Sequence, residues 1–193
     1  MWLFELFEEN NLNAKNMRII NTAFKDLRII AHKSHSDSRG SLRETYNKKI
    51  INWDKFIFEY TTISKKNVLR GMHFQFNRPQ GKHISVIKGK IFDVAIDLRK
   101  NSTTFGKTFN KTLSEKNKKS LYIPAGFAHG FLTLSEENIV CYSCTEYRSI
   151  GTEYSLVYND PTLKIKWPRK KIIITKKDKL ARKLSELIRD KVI

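Results

Sequence analysis

Eleven short strand-like runs, separated by tight turns, recur along this 193-residue sequence. Apolar and polar side chains alternate in many of them, as in strands with one buried face. The connections carry turn residues, as in "NRPQG", "KGK" and "PAG". Many short strands with tight turns favour an all-β sandwich or barrel over βαβ units. The predicted strands are 17–20, 27–32, 56–62, 68–75, 82–88, 90–98, 104–113, 120–123, 130–134, 139–145 and 163–165.

The length and composition agree with a single globular domain. Hydrophobic residues make up 40% of the chain, and its 12 Phe and 7 Tyr favour sheet. The first residues, "MWLFELFEENNLNAKN", lack the positive start of a signal peptide and are too short and acidic for a membrane span. We therefore expect an N-terminal extension over 1–16, one domain over 17–193 and a cytoplasmic location.

Two segments have helical character. The stretch 41–56 has room for one short helix, and Asp178 is a plausible N-cap for a C-terminal helix. The apolar residues that would form the buried face of that second helix are Leu180, Leu184, Leu187 and Ile188. The expected architecture is a β-barrel or jelly roll with a C-terminal helix packed outside.

The net charge is strongly positive, at +18. Such a charge suggests an anionic partner, which could be a nucleic acid, a membrane surface or a phosphorylated small molecule. Much of the excess lies in segments with an exposed pattern, such as 116–119 and 168–179. We therefore expect neither a nucleic-acid nor a membrane partner. A basic nucleic-acid-binding β-protein stays as an alternative, and steeply salt-dependent affinity would identify it.

The two cysteines, Cys141 and Cys144, form a C-x-x-C pattern within a predicted strand. A redox C-x-x-C opens a helix, and a zinc site needs two further ligands at suitable spacing. Both cysteines are therefore interpreted as reduced thiols of a cytoplasmic protein.

Arg70 and His73 stand three residues apart on one predicted strand, in "NVLRGMHFQ". This spacing places them on opposite faces of a regular strand. Gly71 between them marks a possible bulge that re-aims one of the two side chains. The simpler interpretation is a core histidine beside an arginine that reaches solvent.

Further polar residues occur on other predicted strands and in the tail, at Lys82, His129, Tyr142 and Asp178. A barrel interior is where side chains from such separate strands converge. Together they would supply a base, an acid, a carboxylate and cations, with no serine or cysteine nucleophile motif. Each also has a purely structural interpretation: a core tyrosine, a solvated lysine or a helix cap.

Four segments closely resemble the dTDP-4-dehydrorhamnose 3,5-epimerase family. They are "NVLRGMHFQ", "QGKHISVIKGKIFDVAIDLRKNSTTFGK", "LYIPAGFAHGFLTLSE" and "YNDPTLKIKWP". The resemblance implies a cupin-type jelly roll, usually a homodimer that exchanges N-terminal strands. It also implies action without metal or organic cofactor on a nucleotide-linked 4-keto-6-deoxyhexose.

The same resemblance assigns roles to three catalytic residues: His73 would be the general base, Asp178 would orient it, and Tyr142 would donate the proton. Lys82 matches a further active-site position, where a cation can stabilise the enolate oxygen and so count as a fourth catalytic residue. A C4 ketone acidifies the protons at C3 and C5. Inversion needs a base on one face of the ring and a different donor on the other. The substrate-binding residues implied by the family are Arg39, Glu44, Arg70, His129, Tyr147, Glu153 and Lys177.

The sequence departs from the family around the nucleotide pocket. Ser41 replaces an aromatic residue, Phe58 and Tyr60 stand where the family commonly has Gln-x-Asn, and Arg148 replaces a tyrosine. A different nucleotide or sugar therefore stays open, as do a single-carbon epimerase, a 3,4-ketoisomerase and a non-catalytic sugar-nucleotide-binding cupin. We expect no metal, because metal cupins commonly use an H-x-H pair, whereas Gln75 occupies the second position here.

Overall fold

The structure is a computed structural model that describes residues 16–149 and 151–193. In these residues the chain forms thirteen strands and two short helices. They are β1 (Met17–Asn21), β2 (Arg28–His32), β3 (Ser34–Asp37), β4 (Gly40–Arg43), β5 (Phe58–Lys65), β6 (Leu69–Gln75), β7 (Lys82–Lys88), β8 (Lys90–Asp97), β9 (Thr108–Ser114), β10 (Lys119–Ile123), β11 (Phe127–Thr133), β12 (Glu137–Cys144), β13 (Glu153–Ser155), α1 (Lys176–Lys179) and α2 (Leu184–Arg189).

The strands form two antiparallel sheets that pack face to face. One has the order β1-β2-β10-β7-β12-β5 and the other β13-β6-β11-β8-β9, while β3 and β4 form a separate hairpin. A shared apolar core includes Ile84 and Leu121 from the first sheet and Ile91 and Phe131 from the second. This arrangement confirms the jelly-roll prediction.

Two further apolar clusters cover the outer faces of the sheets. Met72, Val94 and other residues of the second sheet pack against Leu184 and Leu187 of α2, so the C-terminal segment lies outside that sheet as expected. On the first sheet, Ile51 and its neighbours pack against the outer face.

Most predicted strands coincide with or overlap observed ones, but the prediction of a strand over 163–165 is wrong. A turn over 161–163, in which the Asp160 carboxylate accepts the backbone N–H of Thr162 at 2.8 Å, leads into irregular backbone at 164–165. Strands β3, β4 and β13 have three or four residues each and were not predicted.

The predicted helix over 41–56 is also wrong. Its first residues belong to β4, and the backbone N–H groups of Ile50 and Ile51 donate to the carbonyl of Asn47 at 3.0 and 2.8 Å, which forms a turn. Burial of Ile51 against the first sheet favours this turn over a helix.

The single C-terminal helix is divided into α1 and α2, and Asp178 is not an N-cap. Thr175 caps α1, because its Oγ1 accepts the backbone N–H of Asp178 at 3.2 Å. Leu184 and Leu187 are buried as predicted, but Leu180 is 70% exposed. A parallel bridge between Leu156 and Arg182 holds the segment between the helices extended.

The predicted N-terminal extension over 1–16 lies outside the described residues, apart from Asn16. Within the described residues, no helix has the length and apolar character needed to cross a membrane.

Candidate active site

A β-bulge in β6 brings Arg70 and His73 to the same cavity. His73 pairs with His129 of β11, whereas Arg70 pairs with Phe131, so β6 contains one residue more than β11 over this step. Gly71 has φ +121°, and a Cβ on it would lie 2.5 Å from the Cα of Gly130. Only glycine fits this position, and the predicted bulge is confirmed.

The cavity has a volume of about 730 Å³ and lies between the two sheets. Side chains of β5, β6, β7, β11 and β12 form most of its walls, and Gln80, Arg148, Glu153 of β13 and the segment 173–178 contribute to the rest. The lining residues include Phe58, Tyr60, Arg70, His73, Lys82, His129, Tyr142, Arg148, Glu153, Lys177 and Asp178.

His73 forms a hydrogen-bonded pair with Asp178. His73 Nε2 lies 2.7 Å from Asp178 Oδ1, and the histidine side chain is 31% exposed while the carboxylate is buried. Burial by itself raises the pKa of Asp178, but the hydrogen bond and charge of His73 outweigh it, so the pKa is lowered. Ionised Asp178 accepts a hydrogen bond from the N–H at His73 Nε2. The proton of the neutral imidazole therefore lies on Nε2, and the lone pair of Nδ1 is the basic site.

Tyr142 of β12 is a buried phenol on the cavity wall. Burial, and then the neighbouring Tyr60 and Asp93, raise its pKa well above the usual value. The phenol therefore stays protonated over the physiological pH range and can act as a proton donor.

Two cations face the cavity from different sheets. Burial lowers the pKa of Lys82, although the nearby Cys144, Glu153 and Asp93 act in the opposite direction. Arg70 is oriented by a hydrogen bond from its Nε to Ser64 Oγ at 3.1 Å. A cation in a partly desolvated cavity interacts strongly with developing negative charge.

A second group of charges lines the cavity at Glu153. Its Oε2 lies 2.7 Å from Arg148 Nη2 and 3.7 Å from Lys177 Nζ. Burial by itself raises the pKa of Glu153, but the hydrogen bond and charge of Arg148 and the charge of Lys177 lower it overall. This part of the wall therefore carries more positive than negative charge.

His129 is held deep in the cavity wall by Asp93. The distance from His129 Nε2 to Asp93 Oδ2 is 2.9 Å, and both side chains are buried. Sequence reasoning missed Asp93, although an acid within the apolar strand "KIFDVAID" is a signal that could have indicated it.

The structure brings together eight of the predicted site residues but not the other three. Tyr147 is not among the lining residues; it is 57% exposed and stacks on Phe58, with ring centroids 5.6 Å apart. Arg39 pairs with Asp37 at 2.6 Å in the β3–β4 hairpin. Glu44 accepts a hydrogen bond from Asn47 at 2.7 Å. Within one chain, neither Arg39 nor Glu44 reaches the cavity.

Side chains that could ligate a metal do not gather into a metal site in the part of the chain that the structure describes. Among the residues that the structure describes, no three His, Cys, Asp or Glu side chains lie close enough to hold an ion. Cys141 and Cys144 are free thiols on β12, as predicted.

The fold and site define a cupin-type jelly roll with acid–base groups in its cavity. A family model described as dTDP-4-dehydrorhamnose 3,5-epimerase matches residues 21–186. The epimerase of Methanothermobacter thermautotrophicus is 42% identical over 176 residues, which cover 88% of this chain and 95% of that protein. The chain belongs to the dTDP-4-dehydrorhamnose 3,5-epimerase family.

Two further relatives support the same family assignment. The epimerase of Salmonella typhimurium is 44% identical over 158 residues, covering 79% of this chain and 86% of that protein. The crystal structure of dTDP-6-deoxy-D-glucose-3,5-epimerase from Legionella pneumophila, in complex with dTDP-4-keto-L-rhamnose, is 39% identical with a TM-score of 0.86. That match covers 92% of this chain and 97% of the Legionella chain.

Proposed function

We propose that this protein catalyses the 3,5-epimerisation of a nucleotide-linked 4-keto-6-deoxyhexose, of the type that converts dTDP-4-dehydro-6-deoxyglucose to dTDP-4-dehydrorhamnose. The observation that carries the proposal is that His73, paired with Asp178, lines the same cavity as the buried phenol of Tyr142. The names of the relatives and the sugar nucleotide in the Legionella structure support it.

His73 removes the proton in this mechanism. The C–H bond next to the C4 ketone breaks, the proton moves to Nδ1, and the electron pair delocalises onto the carbonyl oxygen as an enolate. Asp178 holds the imidazole in the required tautomer and stabilises the imidazolium that forms.

Lys82 stabilises the enolate oxygen. Its ammonium faces the cavity in a partly desolvated setting, where the attraction to a developing oxyanion is stronger than in water. The negative charge exists only after proton removal, so the interaction favours the transition state over the ground state.

Tyr142 returns a proton to the other face of the carbon. The O–H bond breaks, the new C–H bond takes the enolate electron pair, and the carbonyl reforms. The tyrosinate then regains a proton from solvent, and His73 loses one to solvent. The same sequence at the second carbon completes the reaction.

Arg70, Arg148 and Lys177 bind the diphosphate in this proposal. All three line the cavity, and arginine donors match phosphate oxygens well. His129, fixed by Asp93, lies beside Tyr142 and binds the sugar, while Glu153 positions Arg148 and Lys177. Tyr147 stands next to this group and offers an exposed ring for the base.

We further propose a homodimer in which Arg39 and Glu44 reach the partner's cavity. Both lie on or next to a small hairpin that is separate from the two main sheets. Leu42 of this hairpin is exposed, which suits a segment that packs against a second subunit.

The proposal is tested by incubating the purified protein with dTDP-, GDP- and CDP-linked 4-keto-6-deoxy sugars. NMR couplings of the recovered sugar report the configuration at C3 and C5 separately. We expect inversion at both carbons of the dTDP substrate. Inversion at C3 alone would indicate a single-carbon epimerase, a carbonyl moved to C3 would indicate a ketoisomerase, and tight binding without reaction would indicate a binding cupin.

A further inference from the structure

The ring of Tyr60 stacks on the ring of Tyr142. Their centroids are 4.5 Å apart, and the ring planes differ by 11°. The two residues face each other directly in the antiparallel pairing of β5 and β12. Such cross-strand neighbours restrict each other's side-chain orientation.

The other rings around Tyr142 come from the facing sheet. His129 approaches edge-on with centroids 6.1 Å apart, and Phe131 lies at 6.3 Å with a tilt of 43°. The ring of Tyr60 lies parallel to the ring of Tyr142, and the two residues belong to the same sheet. In the described part of the chain, β5 is the last strand of that sheet, so Tyr60 covers the phenol on its side toward the sheet edge.

The ring of Tyr60, rather than its hydroxyl, makes this contact. The hydroxyl interacts with the thiol of Cys144. Tyr60 is also 39% exposed and lines the cavity, so a smaller side chain there would give Tyr142 room to turn and would admit water beside it.

We propose that Tyr60 is a positioning residue that aims the Tyr142 hydroxyl at the carbon being inverted. This inference rests on the proposed function, because it assumes that Tyr142 returns the proton. Proton return depends on where the phenol oxygen lies, and a ring held between parallel and edge-on neighbours keeps the direction of its C–O bond fixed.

The first proton transfer does not involve Tyr60. His73 and Asp178 lie on β6 and α1, and they hydrogen-bond each other rather than a residue of β5. A change at residue 60 therefore leaves enolate formation intact and slows delivery of the proton from the opposite face. The enolate then recovers a proton from the His73 side, which restores the original configuration with a solvent hydrogen in place of the original one.

The experiment compares Tyr60→Leu with Tyr60→Phe in heavy water. NMR measures two products at early times: substrate that contains deuterium with retained configuration, and sugar that is inverted. In Tyr60→Leu we expect the ratio of inversion to exchange with retention to fall about tenfold, with little change in KM. Tyr60→Phe keeps the ring and restores the ratio close to that of the parent.

The matched control is Thr61→Ala. Thr61 neighbours Tyr60 on β5 and does not line the cavity, so it reports damage to the strand alone. The control should keep the parent ratio. Thermal unfolding of all three variants checks that the fold is retained.

Three results would overturn the inference. They are an unchanged ratio in Tyr60→Leu, an equal loss of exchange and inversion in that variant, and a Tyr60→Phe ratio as low as that of Tyr60→Leu. Failure of the proposed function looks different, because the parent protein itself would then neither exchange nor invert any of the sugar nucleotides.

Discussion

His73 on β6 and Asp178 on α1 are joined by a hydrogen bond of 2.7 Å, although 105 residues separate them in the chain. The bond connects the bulged strand of one sheet to the C-terminal segment outside it. It thereby links formation of the candidate site to docking of that segment.

Asp178→Asn should lower kcat by about 10²- to 10³-fold. The amide cannot stabilise the imidazolium and can hold His73 in the wrong tautomer. Steady-state kinetics with the sugar nucleotide measure the effect, and retention of parental kcat would contradict the assigned role.

The control for this variant is Asp160→Asn. Asp160 is another buried carboxylate, but it lies outside the cavity, and its Oδ2 accepts the backbone N–H of Leu184 at 2.7 Å. This substitution should lower the free energy of unfolding by about 1–3 kcal/mol while kcat stays near the parent value.

The alkaline limb of the kcat/KM profile should belong to Lys82. Burial lowers the pKa of Lys82 from 10.5, so the stabilising charge is lost as pH rises through that lowered value. Burial raises the pKa of Tyr142, which therefore stays protonated over the same range.

In Lys82→Arg the alkaline limb should move to higher pH, because the guanidinium remains charged. The position of the limb is the measurement, since the different shape of arginine also lowers the overall rate. An unchanged limb in this variant would exclude Lys82 as its source.

Two histidines outside the cavity should make stability depend on pH. The Nε2 atoms of His32 and His83 both hydrogen-bond the Ser120 hydroxyl, at 2.7 and 2.8 Å. Burial, and then the charge of Arg43, lower the pKa of His32 to about 4. Burial, and then electrostatic interaction with His32, lower the pKa of His83 to about 3. Both therefore stay neutral in the folded protein at pH values where they become protonated after unfolding.

The contribution of these two histidines to the free energy of unfolding should accordingly be fully present above pH 6.5. It should decline as the pH falls toward their pKa values in the folded protein. Between about pH 7 and pH 4.5 the free energy of unfolding of the parent should fall. In His83→Leu this fall should be smaller by about 2–3 kcal/mol. Urea unfolding at the two pH values measures the difference. Equal losses in parent and variant would show that His83 does not contribute.

Mixed dimers test whether Arg39 acts in the partner's cavity. His73→Ala and Arg39→Ala should each be nearly inactive alone. When the two are co-expressed, about a quarter of the sites should be intact, because a heterodimer can combine one wild-type His73 with the other subunit's Arg39.

The matched control is the mixture of His73→Ala with Tyr142→Phe. Both residues line the cavity of one chain, so every site in the heterodimer keeps a defect. Two results would refute a site shared between subunits. One is equal activity in the two mixtures, and the other is a mixture of His73→Ala with Arg39→Ala that is no more active than either variant alone.

Alternation and turn residues were enough to predict a β-barrel or jelly roll and most of its strands, and the resemblance to the family specified the jelly roll. The bulge at Gly71 followed from the conflict between strand geometry and two polar residues three positions apart. These features are local, so the sequence carries a direct signal for them.

The predictions from the sequence were wrong or incomplete where tertiary contacts, and not the local residue pattern, determine the structure. Asp178 follows Thr175, and the threonine hydroxyl is the cap because the carboxylate pairs with distant His73. The apolar pattern from Leu180 predicted one helix, but the bridge from Leu156 to Arg182 interrupts it. Asp93 was missed because its partner, His129, lies 36 residues away.

Deuterium exchange by His73→Ala and Tyr142→Phe tests the central claim most directly. With the dTDP-linked 4-keto sugar in heavy water, His73→Ala should lose exchange at both C3 and C5. Tyr142→Phe should keep exchange with retained configuration and lose inversion. Exchange and inversion at parental rates in both variants would contradict the two-residue mechanism.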